Sequence, residues 1–456
     1  MEHLSIYGGK PLHGEVKAAG AKNSITKLLV ASLLSDKRAI FYNVPDIKEV
    51  EVTVDLCREI GSEITWNRKD GTLEIITKEI KTTLIPQRFS GANRIPILML
   101  GALLGRTRQE VIVPLIGGCK IGPRPVDFHI DSLRKLGATI ELSEYEGNPC
   151  YIAKAEHKLQ GTVIKLPFPS VGATENTILA AAKADGKTVI KNAAVEPEII
   201  DLILFLQKSG VIISVDVNRT VSIERGAHFY DVEHRVIPDR IEAASLGMAA
   251  ISTRGRVFVE GAEHMHMIPF LNKLREIGAG FTVRNSGIEF YHERELKGGI
   301  HLETDVHPGF LTDWQQPFVV LLTQASGHSI VHETIYENRF GYTTVLNEMG
   351  ADTTIFTQCL GGRECRFCSQ NYPHSLVIKG PTKLHGKKIT IPDLRAGYAY
   401  VMAALMAEEE SQIYGLSFLD RGYENLDAKL ISLGANLKRV SDITSEIAKE
   451  ARQVTI

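Results

Sequence analysis

One phrase recurs six times along this chain: an amphipathic stretch ends in glycine, and a β-branched run follows. It reads LCREIGSEITW, LRKLGATIEL, LQKSGVIISV, LREIGAGFTV, LNEMGADTTI and LISLGANLKRV. The glycines are Gly61, Gly137, Gly210, Gly278, Gly350 and Gly434, at spacings of 76, 73, 68, 72 and 84 residues. Glycine directly after a helical stripe is the expected left-handed C′ residue that turns a chain out of a helix and into a strand. Ahead of the phrase the copies carry a Gly-led extended segment (HGEVKAAG, GTVIKLP, GKKITIP). An Ala/Leu-rich helix (ITKLLVASLL, ENTILAAAKA, AYVMAALMA) and a short strand (RAIFYNV, KTVIKNA, SQIYGLS) come next. The pattern predicts an α/β chain of six units, each β-α-β-α-β plus a further strand.

A chain of 456 residues exceeds what one core usually organises, so three units per domain in two domains is the natural grouping. No Pro/Gly/Ser-rich linker separates the halves, and the repeat itself places the boundary near Glu233–Ile237. The longest spacing marks an insertion near 357–376, FTQCLGGRECRFCSQNYPHS. With 44% hydrophobic and 23% charged residues, the composition is that of a globular protein. A net charge of −2 argues against a broad nucleic-acid-binding face. Neither a long apolar run nor an apolar N-terminal core is present, so a cytoplasmic protein without a membrane segment is expected. Six irregularly placed cysteines do not form a disulfide framework, and reduced thiols are expected.

Four segments carry polar residues that the repeat does not need. In GAKNSITKLL, Lys22 and Asn23 stand at a helix start, where free N–H groups and the dipole favour an anion. An exposed helix-start lysine is the plain alternative. In VPLIGGCKIGPRPVDFHIDSL, Gly117, Gly118 and Gly122 predict a loop able to close over a ligand. Cys119 in that loop, flanked by glycines and Lys120, reads as a reactive thiol or proton donor. Arg124 and Asp127 in the stiff turn that follows could offer a guanidinium and a carboxylate to one ligand. In HPGFLTDWQQPF, Asp313 reads on its own as a helix N-terminal carboxylate, with a general base as its functional reading. Finally, IPDLRAGYAY and LDRGYENL hold Arg395 and Arg421 at strand-to-helix junctions suited to gripping carboxylate or phosphate.

Cys359, Cys365, Cys368 and His374 read C-x5-C-x2-C-x5-H. The first spacing is wider than that of common zinc sites, and it lies in an insertion. Free thiols and no bound metal are therefore the expectation.

In combination, GAKN, GGCKIGPRPVDFHI, PSVGATENTILAAA, EPEIIDL, IPDRIEA, TDxQ, YENRF, and DLRA followed by DRGYE resemble the UDP-N-acetylglucosamine branch of the enolpyruvyl transferases. The resemblance runs from Gly8 to about Val440, apart from the insertion. It implies two inside-out α/β barrel domains of three repeats each, residues 22–233 forming one and 1–21 plus 234–456 the other. It further implies transfer of the enolpyruvyl group of phosphoenolpyruvate to the 3′-hydroxyl of UDP-N-acetylglucosamine, with no cofactor.

By the same resemblance Lys22, Asn23, Arg124, Arg395 and Arg421 hold phosphoenolpyruvate, with Arg339 lining the same cationic site. Cys119 protonates C3 and is the thiol alkylated by fosfomycin. Asn23, Arg94, Arg124, Pro125, Val126, Asp127, Phe128, Ser170, Val171, Gly172, Asp313 and Ile335 contact the sugar nucleotide, and Asp313 takes the proton of the attacking hydroxyl. The chain departs from the family pattern around Arg94 (NRIPI), at Leu311 and at Phe168. Those departures bear on the acceptor, so a paralogue acting on another nucleotide or sugar is the second reading.

Overall fold

A computed structural model of the protein describes residues 2–91, 93–115, 126–362 and 365–441. The chain gathers into two compact units. The first is built mainly from Ala19 to Pro238, and the second from residues up to Ala18 together with those from Asp239 onward.

All six repeat glycines have positive φ, between 83° and 122°. Each follows a helix: Lys48–Ile60, Asp127–Lys135, Pro197–Lys208, Ile268–Glu276, Thr343–Glu348 and Leu426–Ser432. Each also precedes a strand: Glu63–Asn67, Thr139–Tyr145, Ile212–Asp216, Gly280–Arg284, Asp352–Phe356 and Asn436–Val440. A Cβ at these positions would force a left-handed backbone that side chains resist, and glycine turns the corner without that penalty.

Each unit contains three sheets among the described residues; five of the six have four strands in one pattern, and the sixth has three strands, with an isolated parallel bridge between Leu84 and Ile112 where the others have a fourth strand. In the first unit Glu63–Asn67 pairs antiparallel with Thr72–Ile76, which pairs antiparallel with Ala39–Tyr42. Ala39–Tyr42 in turn lies parallel to Val232–Arg235. The same anti-anti-parallel order links Ile212–Asp216, Thr220–Glu224, Lys187–Lys191 and Val163–Lys165. The N-terminal strands complete sheets of the second unit. His13–Lys17 lies parallel to Arg256–Glu260. His3–Tyr7 sits between Glu410–Tyr414 and Asn436–Val440, antiparallel to both. The last phrase of the chain thus takes its hairpin partner from the first residues.

Three helices form the middle of each unit. In the second these are Arg240–Ser252, Thr312–Leu322 and Leu394–Met406, packed on one another and buried on nearly every side. Helices apolar all round belong in a core, which is why these segments show no amphipathic stripe. In the first unit the equivalents are Lys22–Ala31, Leu98–Arg106 and Val171–Ala181. Gly101 lets the last two approach closely: its N–H donates to Asn176 Oδ1 at 2.9 Å, and a Cβ there would lie 2.3 Å from that oxygen.

The insertion is the connection between Asp352–Phe356 and Ser375–Gly380, an antiparallel pair. In four other sheets the corresponding turns are the short segments 68–71, 146–147, 217–219 and 285–286. Among the described residues no helix is long and apolar enough to cross a membrane.

Candidate active site

The second unit holds a buried ionic cluster centred on Asp313, the second residue of the helix Thr312–Leu322. Its Oδ1 accepts from Arg339 Nη2 at 2.7 Å and its Oδ2 from Arg395 Nη2 at 3.3 Å. The guanidinium residues are 4% and 7% exposed, while the Asp313 side chain keeps 22% exposure. The carboxylate therefore spans two interior cations and still reaches the surface. Asp313 stands in the first turn, as a helix-start carboxylate does, but no side-chain cap is made at this helix and its oxygens engage two arginines. Pro317 lies four residues on and has no N–H, so the usual helical bond onto the Asp313 carbonyl is missing.

Burial opposes the charge on Arg395, but Asp313, Tyr423 and Asp239 outweigh it and raise its pKa. Arg339 behaves alike: burial lowers its pKa, and Asp313 with Tyr336 and Glu333 more than restores it. Arg395 is aimed by its own helix start. Asp393 accepts from the Arg395 and Ala396 N–H groups at 2.9 and 3.1 Å, a capping arrangement that fixes where the helix begins. Tyr423, buried behind Arg395, receives a bond from its Nη1 at 3.5 Å and pairs with Ser245 Oγ at 3.1 Å.

Sequence reasoning missed Glu333. Fully buried, it accepts from Thr304 Oγ1 at 3.0 Å, Thr312 Oγ1 at 2.9 Å, and the N–H groups of Ile335 and Tyr336 at 2.9 and 3.2 Å. One carboxylate thus ties the start of the Asp313 helix to the turn that carries Ile335. A charged residue inside the apolar-flanked run IVHETIY was the available signal. Burial pushes its carboxyl pKa up, against Arg339 and the bonds from Ile335, Thr312 and Thr304. Arg421 lies half-buried in the turn after Leu416–Phe418, while Asp420 beside it accepts from Arg439 at 2.7 Å.

In the first unit the predicted residues fall into two places. Lys22 and Asn23 form the first turn of Lys22–Ala31 and are half-buried, so Lys22 is not the exposed helix-start lysine of the plain alternative. Ser24 beside them donates to Asp201, which His234 Nε2 contacts at 2.9 Å. Glu175 is 2% exposed, with Lys27 at 3.8 Å. Its pKa is pushed up to about 7 by burial, with Lys27 opposing and Glu196 and Glu198 reinforcing.

The second place gathers Arg94, Asp127 and the segment Ser170–Gly172. Burial raises the pKa of Tyr151; Asp127 adds to that and Arg94 counters it, which puts both predicted residues within electrostatic reach of one phenol. Asp127 opens the helix Asp127–Lys135, and Val126 and Phe128 pack against the unit's core. Ser170 Oγ accepts from Ala173 N–H at 3.4 Å and caps Val171–Ala181. Val171 is 36% exposed. At Gly172 a Cβ would lie 2.9 Å from the His129 ring, so the two helix starts meet there with no room for a side chain. Cys119, Lys120, Arg124 and Pro125, and with them the expected closing loop, lie outside the described residues. A cavity of about 490 Å³ in the same unit, lined by Arg106, Lys183, Arg225 and Phe229 among others, includes none of the predicted site residues.

The arrangement of sheets and buried helices is shared with known enolpyruvyl transferases. The crystal structure of the enolpyruvyl transferase NikO from Streptomyces tendae superposes with a TM-score of 0.84 at 22% identity, covering 96% of this chain and 99% of that one. Residues 6–430 match the family EPSP synthase (3-phosphoshikimate 1-carboxyvinyltransferase). Two relatives are called UDP-N-acetylglucosamine 1-carboxyvinyltransferase. The one from Protochlamydia amoebophila is 66% identical over 97% of this chain and 95% of its own length. The one from Chlamydia muridarum is 55% identical over 96% and 98%. The chain belongs to the UDP-N-acetylglucosamine 1-carboxyvinyltransferase family, within the wider EPSP synthase family.

Proposed function

We infer that the protein transfers the enolpyruvyl group of phosphoenolpyruvate to the 3′-hydroxyl of UDP-N-acetylglucosamine, releasing phosphate. Full-length relatedness at 66% identity carries this reading. Relatives at that level share one acceptor in their names, so the second reading, a different acceptor, gains no support.

Phosphoenolpyruvate has a carboxylate and a phosphate, and the resemblance assigns their grip to Lys22, Asn23, Arg124, Arg395 and Arg421. Asp313 accepts the hydroxyl proton as the oxygen attacks C2, and Cys119 delivers a proton to C3. The tetrahedral adduct then loses a C3 proton and its C–O bond to phosphate, which restores the double bond. The geometry of Asp313 supports a gated base. Both its oxygens accept from guanidinium groups, which fix the carboxylate in place. An incoming dianion competes for Arg395, releasing Oδ2 for the hydroxyl, while Arg339 holds Oδ1 in place. Arg94, Val126, Asp127, Phe128, Ser170, Val171, Gly172, Pro125 and Ile335 are read as sugar-nucleotide contacts.

The same reading takes the two units as inside-out barrel domains of three repeats. Three sheets and three central helices in each support it. It places the protein in the cytoplasm at the first committed step of peptidoglycan precursor synthesis, hence in cell-wall growth and division, as a target of fosfomycin. Phosphate release with phosphoenolpyruvate and a panel of acceptors tests it. Release should require UDP-N-acetylglucosamine, and release with shikimate 3-phosphate in its place would contradict it.

A further inference from the structure

The Cys-containing insertion does not hang free. Cys359 Sγ lies 3.5 Å from His332 Nε2 and 3.4 Å from Cys365 Sγ. With His374, these residues place one ligand atom each within 4.8 Å of one another. His332 ends the strand Gly327–His332 and stands opposite Ser375 in the sheet, so one histidine comes from the sheet, while Cys359, Cys365 and His374 come from the insertion, His374 directly ahead of the strand Ser375–Gly380.

The imidazoles are poised as ligands. Both histidines are 0% exposed. His374 Nδ1 contacts the Tyr372 carbonyl at 2.7 Å, an acceptor only, so that nitrogen carries the proton and Nε2 presents its lone pair. That buried Nε2 has no hydrogen-bond partner. An unpaired buried acceptor is costly, and a metal would satisfy it. His332 Nδ1 pairs with Ser375 Oγ at 2.9 Å, which leaves its Nε2 facing Cys359. Such outer contacts commonly fix the tautomer and aim of metal-bound histidines. A Cβ at Gly361 would lie 2.4 Å from the His332 ring, so the insertion backbone closes directly over it.

We propose that His332 Nε2, Cys359 Sγ, Cys365 Sγ and His374 Nε2 bind one zinc ion. Two thiolates and two imidazoles in a closed tetrahedron are a structural zinc set. With Zn–S near 2.3 Å and Zn–N near 2.0 Å, a tetrahedron requires S···S of about 3.8 Å and S···N of about 3.5 Å. The 3.4 and 3.5 Å separations are close to both, whereas a disulfide would need sulfurs about 2 Å apart. Zinc displaces one thiol proton from each cysteine, and no electron changes hands. Cys368 hydrogen-bonds Cys359 but lies outside the four-atom group. The ion would close the long connection 357–374 onto its sheet, where Arg366 already contacts the Ile335 carbonyl.

Elemental analysis of the untagged full-length protein, purified from zinc-supplemented cells, tests this. It should find about one zinc per chain, under a tenth as much in Cys359→Ser/Cys365→Ser, and unchanged zinc in Cys368→Ser. Should the double variant fail to fold, the wild-type protein decides. Stripped with a chelator and given cobalt(II), it should show the strong visible bands and thiolate charge transfer of a tetrahedral sulfur–nitrogen site. Wild-type protein with neither zinc nor that spectrum, or a Cys359–Cys365 disulfide by peptide mapping, overturns the proposal. So does zinc that survives in the double variant or depends on Cys368.

Discussion

Arg339, buried to 4% exposure, donates to Asp313 Oδ1 at 2.7 Å from 26 residues further along the chain. In the proposed chemistry Arg339 sets the position of this carboxylate, and its second oxygen exchanges Arg395 for substrate. The proposed chemistry depends on that asymmetry. Asp313→Asn preserves shape and removes the base, so kcat should fall by about 10²–10⁴ while KM for UDP-N-acetylglucosamine changes little. Steady-state kinetics check this, and near wild-type turnover would remove Asp313 from the proton path.

Glu333 should matter for stability through the groups it satisfies. Glu333→Ala leaves two buried hydroxyls and two N–H groups without their acceptor. Each orphaned group costs about 1–3 kcal/mol before relaxation, so a loss on the order of 3 kcal/mol in denaturant unfolding is expected. Glu333→Gln should recover part of it, because its amide oxygen still accepts.

Glu175 gives a pH dependence whose sign is fixed. Its folded pKa is near 7 against an ordinary 4.5, so between those values the native state holds more protons than the unfolded one. The Glu175 contribution to stability therefore falls as pH rises from about 4.5 to about 7, and its penalty is complete above that window. Glu175→Gln should gain stability relative to wild type across the same window, read as the difference in urea midpoints at pH 5 and pH 8. A constant difference would show that Glu175 stays ionised.

Fosfomycin should modify one thiol. Cys57 is buried with its pKa pushed up to about 12, and Cys150 is also raised by burial, so neither offers a ready thiolate. Cys119, flanked by glycines and Lys120, is the predicted target. Intact mass and peptide mapping should find a single adduct on Cys119, formed faster with UDP-N-acetylglucosamine present. Cys119→Asp should resist the drug and keep some turnover, since a carboxylic acid also donates a proton. An adduct on Cys368 instead would contradict the assignment.

What the sequence made legible was local. A C′ glycine follows from the backbone of its own turn, so six glycines could be placed with no knowledge of the fold. Lys22 at a helix start was legible for the same reason. The ionic cluster was not, because Asp313 meets Arg395 across 82 residues and no spacing rule spans that distance. His332 was invisible for a like reason: it precedes Cys359 by 27 residues, on a strand with no motif of its own. Spacings inside the insertion show only three of the four proposed ligands, because the fourth, His332, lies on the sheet. Ser170, expected at the sugar nucleotide, caps a helix, a role that Ser just ahead of an apolar helix fills by default.

Enolpyruvyl transfer itself can be followed with a labelled carbon. Phosphoenolpyruvate labelled at C2 and C3 would be incubated with the protein and UDP-N-acetylglucosamine and followed by carbon and phosphorus NMR. One vinyl ether on the 3′ oxygen of the sugar is expected, with one inorganic phosphate per product. Label recovered as pyruvate with the sugar nucleotide unchanged, or an ether at another hydroxyl, would contradict it.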